Sequence, residues 1–162
     1  MLIQRLSFFL FTVLFALLSL PANASEPTYL DNRSTPKSLV ASYFNALNRN
    51  EFARAWAYWN NQIEGTNFED FVEGFTYIDD IGFKMGQSIS EGAAGSTFTQ
   101  IPLVVEYRDE DGWKETYRGC FLVRIATPDI QSPPFVGHHF DRGYLEPVDT
   151  IFQNTDPGEC SF

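Results

Sequence analysis

Apolar residues in the first half of the chain recur with the spacing of an α-helix. They stand at positions 39, 40, 43, 44 and 47, which is one, four, five and eight residues after the first. Residues with this spacing share one face of a helix. Ser34 or Thr35 is suited to be the N-cap, because Pro36 then lies in the first turn. The apolar face consists of Leu39, Val40, Tyr43, Phe44 and Leu47. The pattern predicts an amphipathic helix that buries this face.

Two shorter helices are predicted after the first. The second covers about residues 51–59 and the third follows a capping box formed by Thr66 and Glu69. The apolar face of the second helix consists of Phe52, Ala55, Trp56 and Trp59. That of the third consists of Phe68, Phe71, Val72 and Phe75. The first half of the chain therefore predicts three helices, each with one face to bury.

Beyond Gly74 the apolar period changes to two, which is typical of β-strands. Strands are predicted over residues 77–84, 97–107, 113–126 and 140–148, with loops over 88–96 and 127–137 and a tail over 149–162. Helices followed by a run of antiparallel strands indicate the α+β class rather than α/β. We expect the N-terminal helices to pack on one face of a curved antiparallel sheet.

The connection at residues 108–112 determines which side chains of the two longest strands share a face. Apolar residues stand at odd positions on both strands, among them Leu103 and Phe121. Only a loop with an odd number of residues puts the two sets on the same face. We therefore predict a three- or five-residue loop with Gly112 at positive φ. This register places Cys120 on the opposite face.

The helical half carries a resemblance to a known superfamily. The segment 43–56, YFNALNRNEFARAW, is a helix that ends in a short polar turn before a second helix, and Phe68-x-x-Phe71-x-x-Gly74-Phe75 extends the match. With the two long strands, the chain over about residues 36–126 resembles NTF2-like proteins of the SnoaL-like and ketosteroid-isomerase-like kind. It looks most like their small exported members of uncharacterised role. The resemblance implies a cone-shaped fold with a pocket between helices and sheet.

The same resemblance implies where chemistry would be found. Ketosteroid-isomerase-like enzymes place a tyrosine on the first helix, and Tyr43 stands near that place. They also supply a general base from an acidic stretch after the second helix. Here the stretch 60–65 reads NNQIEG and holds Glu64 as its single acid. This departure argues against isomerase chemistry.

The N-terminus reads as a secretory signal. Arg5 precedes an apolar run of 15 residues, Pro21 follows it, and small residues stand before a cleavage site after Ala24. The run is short for a membrane span, which needs about 20 residues. We expect a signal peptide over 1–24 and a mature domain over 25–162, exported to the periplasm or secreted. An uncleaved anchor is the alternative.

Charge and cysteine content narrow the possible functions. The chain has 162 residues with 11 basic and 21 acidic side chains and a net charge of −10, which argues against binding to nucleic acid or to an anionic membrane surface. Two cysteines are too few for a four-thiolate zinc site. In an oxidising compartment Cys120 and Cys160 are expected to form a disulfide that pins the tail to the sheet.

The aromatic residues are the candidates for ligand binding. Tyr43, Trp56, Trp59 and Tyr117 are suited either to line an apolar ligand pocket or to pack as plain core. We expect a non-catalytic protein that binds a small apolar ligand or a protein partner, without cofactor or metal. A homodimer through the convex face of the sheet would expose apolar residues such as Val104 and Leu122.

An enzyme is the alternative. A small isomerase, dehydratase or hydrolase of this fold needs a carboxylate or a histidine inside the cone. The candidates are the pairs Asp79-Asp80 and His138-His139. Adjacent residues of a strand point to opposite sides, so the two histidines do not easily share one metal ion.

Overall fold

The computed structural model describes residues 27–60 and 63–162. The predicted signal peptide, 1–24, lies outside the described residues. Among the described residues three helices come first: α1 (Pro36–Asn48), α2 (Phe52–Ala57) and α3 (Phe68–Phe75). Five strands follow: β1 (Ile78–Met85), β2 (Ile89–Ala93), β3 (Ser96–Asp109), β4 (Lys114–Ala126) and β5 (His139–Pro147). A single 3₁₀ turn, Pro128–Ile130, interrupts the loop before β5. Within the described ranges no helix has the length and apolar character needed to cross a bilayer.

The helix boundaries follow from local capping. Thr35 caps α1, because its hydroxyl accepts a hydrogen bond from the amide of Ser38 at 3.1 Å, as the sequence predicted. The predicted cap of α3 was wrong by one residue. Asn67, not Thr66, caps this helix through a bond from the Asp70 amide at 3.0 Å. Thr66 is instead paired with Ile63 in an isolated β-bridge, which takes its backbone out of the helix.

β3 is the central strand of the antiparallel sheet. It pairs along its whole length with β4, and its other edge pairs first with β2 and then with β1, while β5 flanks β4. The β3–β4 hairpin confirms the predicted register: Val105 lies opposite Tyr117, and Ile101 opposite Phe121. Gly112 has φ +82° in the turn. Its amide donates to the carbonyl of Asp109 at 3.0 Å.

The predicted loop over 88–96 was wrong, because it contains β2. Ala93 pairs with Ser96, and the two residues between them, Ala94 and Gly95, both have positive φ, at 47° and 73°. Two positive φ values are the signature of a tight type I′ hairpin. All residues of β2 are exposed. The segment therefore lacks the apolar alternation by which strands are recognised, and its main-chain bonds to β3 define it instead.

The core lies between the helices and the inner face of the sheet. The odd-numbered residues of β3 and β4 meet the apolar face of α1, and several of them are completely buried. The central members of this core are Leu39, Val40, Phe44, Leu47, Ile101, Leu103, Val105, Phe121, Val123 and Phe140. This confirms the predicted α+β layering, in which the sheet forms a curved, unclosed wall over the helices.

The tail, residues 149–162, covers the outer face of the sheet. Cys120 and Cys160 form the predicted disulfide, with their Cα atoms 5.6 Å apart. The beginning of the tail is bound to β1, where the side chain of Lys84 donates to the carbonyl of Gln153 at 3.3 Å. Val104 and Leu122, the residues that a homodimer through this face would expose, are buried and expose 0% and 5% of their surface. The chain's own tail, rather than solvent, meets this apolar face.

The segment before α1 is held against the helices by one arginine. Arg54 donates to the carbonyl of Leu30 at 2.6 Å and to the side-chain oxygen of Asn45 at 3.1 Å. Its Nε pairs with Glu51 at 2.5 Å, and its guanidinium lies 4.5 Å from the ring centre of Tyr29. Burial of Arg54 opposes its charge, yet the hydrogen bonds that it donates to Tyr58 and Glu51 raise its pKa overall. Arg54 therefore fixes the entry of the chain into α1.

Candidate functional site

A recess of about 360 Å³ opens between α3 and the inner face of the sheet. We call it the cone recess. Its volume is at the lower end of the range of about 300–1,000 Å³ that is typical of ligand pockets. It is lined by Tyr43, Trp59, Ile63, Thr66, Asp70, Phe71, Gly74, Phe75, Tyr107, Phe121, Gly143, Tyr144 and Leu145. The lining is mainly aromatic and aliphatic, so the recess presents an apolar surface with few polar groups.

Two of the four predicted ligand-binding residues line the cone recess. Tyr43 comes from the middle of α1 and Trp59 from the turn after α2, and their exposed fractions are 4% and 7%. Their ring centres are 6.0 Å apart in an edge-to-face arrangement. Both rings also contact Phe121, at 5.9 Å and 5.5 Å. These three aromatic rings form the inner wall of the recess.

Gly143 leaves room for the two rings that lie against it. A Cβ atom at this position of β5 would lie 2.9 Å from Cε1 of Phe121 and 3.1 Å from Cη2 of Trp59. Both distances are below ordinary carbon contact. The backbone of β5 therefore approaches the indole closely, and any larger residue would displace Trp59 or Phe121.

The polar groups of the inner wall are donors. The indole N–H of Trp59 is buried and has no hydrogen-bond partner among the described residues. It points towards the Tyr43 hydroxyl and partly lowers the pKa of that phenol without reaching hydrogen-bond geometry. Burial outweighs this effect and raises the pKa of Tyr43 well above its ordinary value of 10.0.

The other two predicted ligand-binding residues lie outside the recess. Trp56 packs on Phe68 and Phe71, with ring centres 5.9 Å and 5.3 Å away, and lines a neighbouring surface groove. Tyr117 stacks edge-on against Tyr107 at 5.3 Å, and its hydroxyl donates to the carboxylate of Glu115 at 2.7 Å. Their rings contribute to the walls behind the recess and not to its lining.

Tyr107 is one of the lining residues that the sequence did not single out. Its odd position on β3 already placed it on the inner face, but nothing in the pattern distinguished it from core. Burial raises the pKa of its phenol above 10.0, and the neighbouring hydroxyls of Tyr43 and Tyr117 raise it further. Tyr107 therefore adds a second protonated phenol to the lining.

The residues proposed for acid–base chemistry do not line the recess. Asp79 and Asp80 are half-exposed and lie 3.6 Å and 3.1 Å from the guanidinium of Arg108. Nδ1 of His138 is 2.9 Å from the carbonyl of Arg33, and Nδ1 of His139 is 3.0 Å from that of Gly137. These contacts hold all four side chains at the edges of the sheet.

One carboxylate lines the recess, that of Asp70 in the first turn of α3. It is exposed at the rim and accepts a hydrogen bond from the side-chain amide of Asn67 at 2.7 Å. Glu64 is exposed and lines the neighbouring groove instead. In residues 27–60 and 63–162 no group of three histidine, cysteine, aspartate or glutamate side chains is placed to hold a metal ion.

Comparison with known proteins supports the fold. No protein-family model matches the chain, and no curated protein matches it significantly. A solved protein from Novosphingobium aromaticivorans, described as a proposed aromatic ring hydroxylase, is 13% identical with a TM-score of 0.52 over 72% of this chain and 92% of its own. A solved NTF2-like protein of unknown function from an Exiguobacterium species is 17% identical, with a TM-score of 0.41 over 69% of this chain and 99% of its own.

The architecture and the first of these comparisons agree. Three helices followed by a curved, unclosed antiparallel sheet of five strands are what the sequence resemblance implied. The chain has an α+β fold, helices packed on a curved antiparallel sheet, and shares this fold with the Novosphingobium protein. At these levels of identity the likeness extends to the fold and not to an activity.

Proposed function

We propose that this chain is an exported NTF2-like protein that binds a small, largely apolar ligand in the cone recess without catalysing its conversion. The observation that carries the proposal is the lining of the recess. Aromatic rings of α1, α3 and the sheet surround it, and few polar side chains line it. An apolar cavity with few, placed polar groups is the usual form of a small-molecule site.

The enzyme alternative has less support. Acid–base catalysis requires a carboxylate or histidine within hydrogen-bond reach of the substrate. Among the described residues that line the recess, Asp70 is the one carboxylate, and it lies at the rim in contact with Asn67. The phenols of Tyr43 and Tyr107 hold their protons too firmly to act as bases near neutral pH, since burial raises both pKa values.

Export is the second part of the proposal. A signal peptide over 1–24 would give a mature chain that begins at Ser25, in the periplasm or outside the cell. The Cys120–Cys160 bridge is compatible with such an oxidising compartment. Mass spectrometry of the exported, unreduced protein should give the mass of residues 25–162 less two hydrogens. A mass that includes the first 24 residues would contradict cleavage.

Binding of a protein partner is a second proposal, and it has less support than ligand binding. A homodimer through the outer face of the sheet would require the tail to move, because Val104 and Leu122 are buried beneath it. Light scattering of the oxidised mature protein tests this. A monomer at high concentration would argue against that dimer.

Ligand binding is tested by filling the recess. Gly74 lines it, and a Cβ atom at this position of α3 would meet nothing within 4 Å. The first atom of a new side chain therefore meets no neighbour, and Gly74→Leu also improves helix propensity. With one- and two-ring aromatic compounds as probes, we expect the wild-type protein to gain about 2.7 kcal/mol of stability at a ligand concentration 100 times Kd. Gly74→Leu should abolish the gain.

Gly92→Leu is the matched control. Gly92 lies on the exposed strand β2, where a Cβ also meets nothing within 4 Å. This variant should bind the probes as the wild-type protein does. If no probe stabilises the wild-type protein, or if Gly74→Leu binds as well as Gly92→Leu, the recess is not the binding site.

A further inference from the structure

A second cavity, which we call the tail cleft, lies between the tail and the outer face of the sheet. Its volume of about 420 Å³ is within the range of about 300–1,000 Å³ that is typical of ligand pockets. Strands β4 and β5 form one side of the cleft and the tail forms the other. It is lined by Arg118, Gly119, Tyr144, Glu146, Pro157, Gly158, Glu159 and Ser161. The tail cleft shares Tyr144 with the cone recess, but its lining is polar where that of the recess is apolar.

The tail side of this cleft is held in place at several points. The Cys120–Cys160 bridge bonds it to β4. The ring of Phe162 lies edge-on to the ring of Tyr144 with 5.6 Å between the centres, and the hydroxyls of Ser161 and Tyr144 are 3.4 Å apart. A site whose walls are already fixed loses less conformational entropy when a ligand binds. The tail cleft is therefore formed before any ligand enters it.

Three charged side chains of the cleft have no hydrogen-bond or ion-pair partner in the part of the chain that the structure describes. Arg118 on β4 stands directly opposite Glu146 on β5, so the two side chains share the outer face. They nevertheless form no ion pair with each other or with another described residue. The side chain of Glu159, on the tail, is also without a partner, and all three residues are exposed. The cleft thus offers one positive and two negative groups to a ligand.

The signs of these charges define the class of ligand. A simple anion would be attracted by Arg118 but repelled by two carboxylates, and a metal ion would be repelled by the guanidinium. A molecule with charges of both signs meets a counter-charge for each of them. The carboxylate and ammonium groups of an α-amino acid are separated by one carbon, which suits unlike charges on neighbouring strands. A second ammonium group on the ligand would balance the remaining carboxylate of the cleft.

We propose that the tail cleft binds a free basic α-amino acid. Arg118 donates to the carboxylate of the ligand, and two parallel hydrogen bonds from the guanidinium fix its orientation. Glu146 accepts from the α-ammonium group. Glu159, from the tail, accepts from the ammonium group of the ligand's side chain. This second site is independent of the apolar ligand proposed for the cone recess.

Amide NMR with L-lysine as the probe tests where the ligand binds. Gly119 and Gly158 line the tail cleft and Gly74 lines the cone recess. In the oxidised mature protein at about 0.15 M salt, L-lysine should shift the amide signals of Gly119 and Gly158 saturably and leave that of Gly74 in place. The absence of a saturable shift at the two cleft glycines would overturn the proposal. The aromatic probes of the recess should shift Gly74, so failure of one site is distinguishable from failure of the other.

L-Lysinamide tests the role of Arg118, because an amide replaces the carboxylate while the rest of the molecule is unchanged. The wild-type protein should bind L-lysine about tenfold more tightly, which is about 1.4 kcal/mol. Arg118→Gln should remove this preference. Lys114→Gln is the matched control, since Lys114 lies on the same face of β4 but pairs with Glu106 outside the cleft. Equal affinities in the wild-type protein, or a preference that survives Arg118→Gln, would overturn the proposal.

L-Norleucine tests the role of Glu159, because its side chain has a methyl group in place of the terminal aminomethyl group of lysine. We expect about tenfold tighter binding of L-lysine by the wild-type protein and about equal binding of the two by Glu159→Gln. Glu91→Gln, on the exposed strand β2, is the control and should keep the preference. If Glu91→Gln loses it too, the acidic surface as a whole rather than the cleft attracts the ligand, and the proposal is wrong. Tighter binding of inorganic phosphate than of L-lysine at the cleft glycines would also overturn it.

Discussion

The close approach of β5 to β4 at Gly119 makes a sharp prediction about stability. Gly119 pairs with Leu145, and a Cβ atom at Gly119 would lie 2.8 Å from the carbonyl carbon of Tyr144 and 3.0 Å from the Cα of Leu145. These are backbone atoms, so no side chain can rotate away. In Gly119→Ala the two strands must separate locally. We expect a loss of about 3 kcal/mol of unfolding free energy, the upper end of the usual range for overpacking.

Gly92→Ala is the control that separates the steric clash at Gly119 from the general effect of replacing a strand glycine by alanine. Gly92 is also a strand glycine, but a Cβ there meets nothing within 4 Å. Where the backbone permits alanine, this change usually stabilises a protein by about 0.4–1 kcal/mol through the unfolded state. The two substitutions should therefore have opposite signs. Urea denaturation of the oxidised mature protein gives both values, provided that the slope m is unchanged.

The thermal transition provides a second readout. For a chain of this size 1 kcal/mol corresponds to about 4 °C in Tm. Gly119→Ala should melt about 12 °C below the wild-type protein, and Gly92→Ala at or slightly above it. Because β5 carries Gly143 and Leu145 of the recess, Gly119→Ala should also weaken probe binding. Equal stability of the two alanine variants would refute the close packing of β4 and β5.

Three further predictions concern the bridge, the buried phenols and the N-terminal segment. Replacing Cys120 and Cys160 together by serine should cost up to about 4 kcal/mol, from the chain entropy of a closed loop with a separation of 40 residues, measured by denaturation. Burial raises the folded-state pKa of Tyr43 and Tyr107 above 10.0, so unfolding releases protons and stability should fall as the pH rises above about 10. Arg54→Ala should cost about 2 kcal/mol and make residues 27–34 sensitive to limited proteolysis.

Each of these predictions has a control and a contradicting result. For the bridge, wild-type protein in reductant should match the double serine variant, and unchanged stability in both would contradict a stabilising crosslink. For the phenols, the tyrosinate absorbance of at least Tyr43 and Tyr107 should appear only with unfolding, and early ionisation of all seven tyrosines would argue against burial. For the N-terminal segment, exposed Arg118 is the control, and equal proteolysis of Arg118→Ala and Arg54→Ala would contradict the anchoring role.

The β3–β4 hairpin was predictable from sequence because its face pattern is strict. Apolar residues at odd positions on both strands permit one parity of loop, and Gly112 supplies the positive φ that the turn needs. The first helix was predictable for a similar reason, since Thr35 and Pro36 mark its start. In these elements local propensity and burial favour the same structure.

Features that depend on main-chain pairing or on close approach were not predictable. Strand β2 is wholly exposed and carries no apolar signal. The lining of the cone recess depends on how closely the backbone lets each aromatic ring approach the recess, and the sequence pattern does not show these distances. Trp59 and Tyr43 reach it, while Trp56, in the same apolar stripe as Trp59, turns to Phe71. The burial of Val104 follows from the path of the tail, which the sequence constrained only at Cys160.

That path has a consequence for the maturation of the protein. The five strands are complete at residue 147, so the sheet can assemble before its outer cover arrives. Until residues 149–162 are in place, the apolar strip around Val104 and Leu122 lacks its cover, and an exposed apolar strip favours association. Because the tail belongs to the same chain, its effective concentration beside the sheet is higher than that of a second molecule. The Cys120–Cys160 bridge then keeps the cover in place, because it bonds the end of the tail to β4.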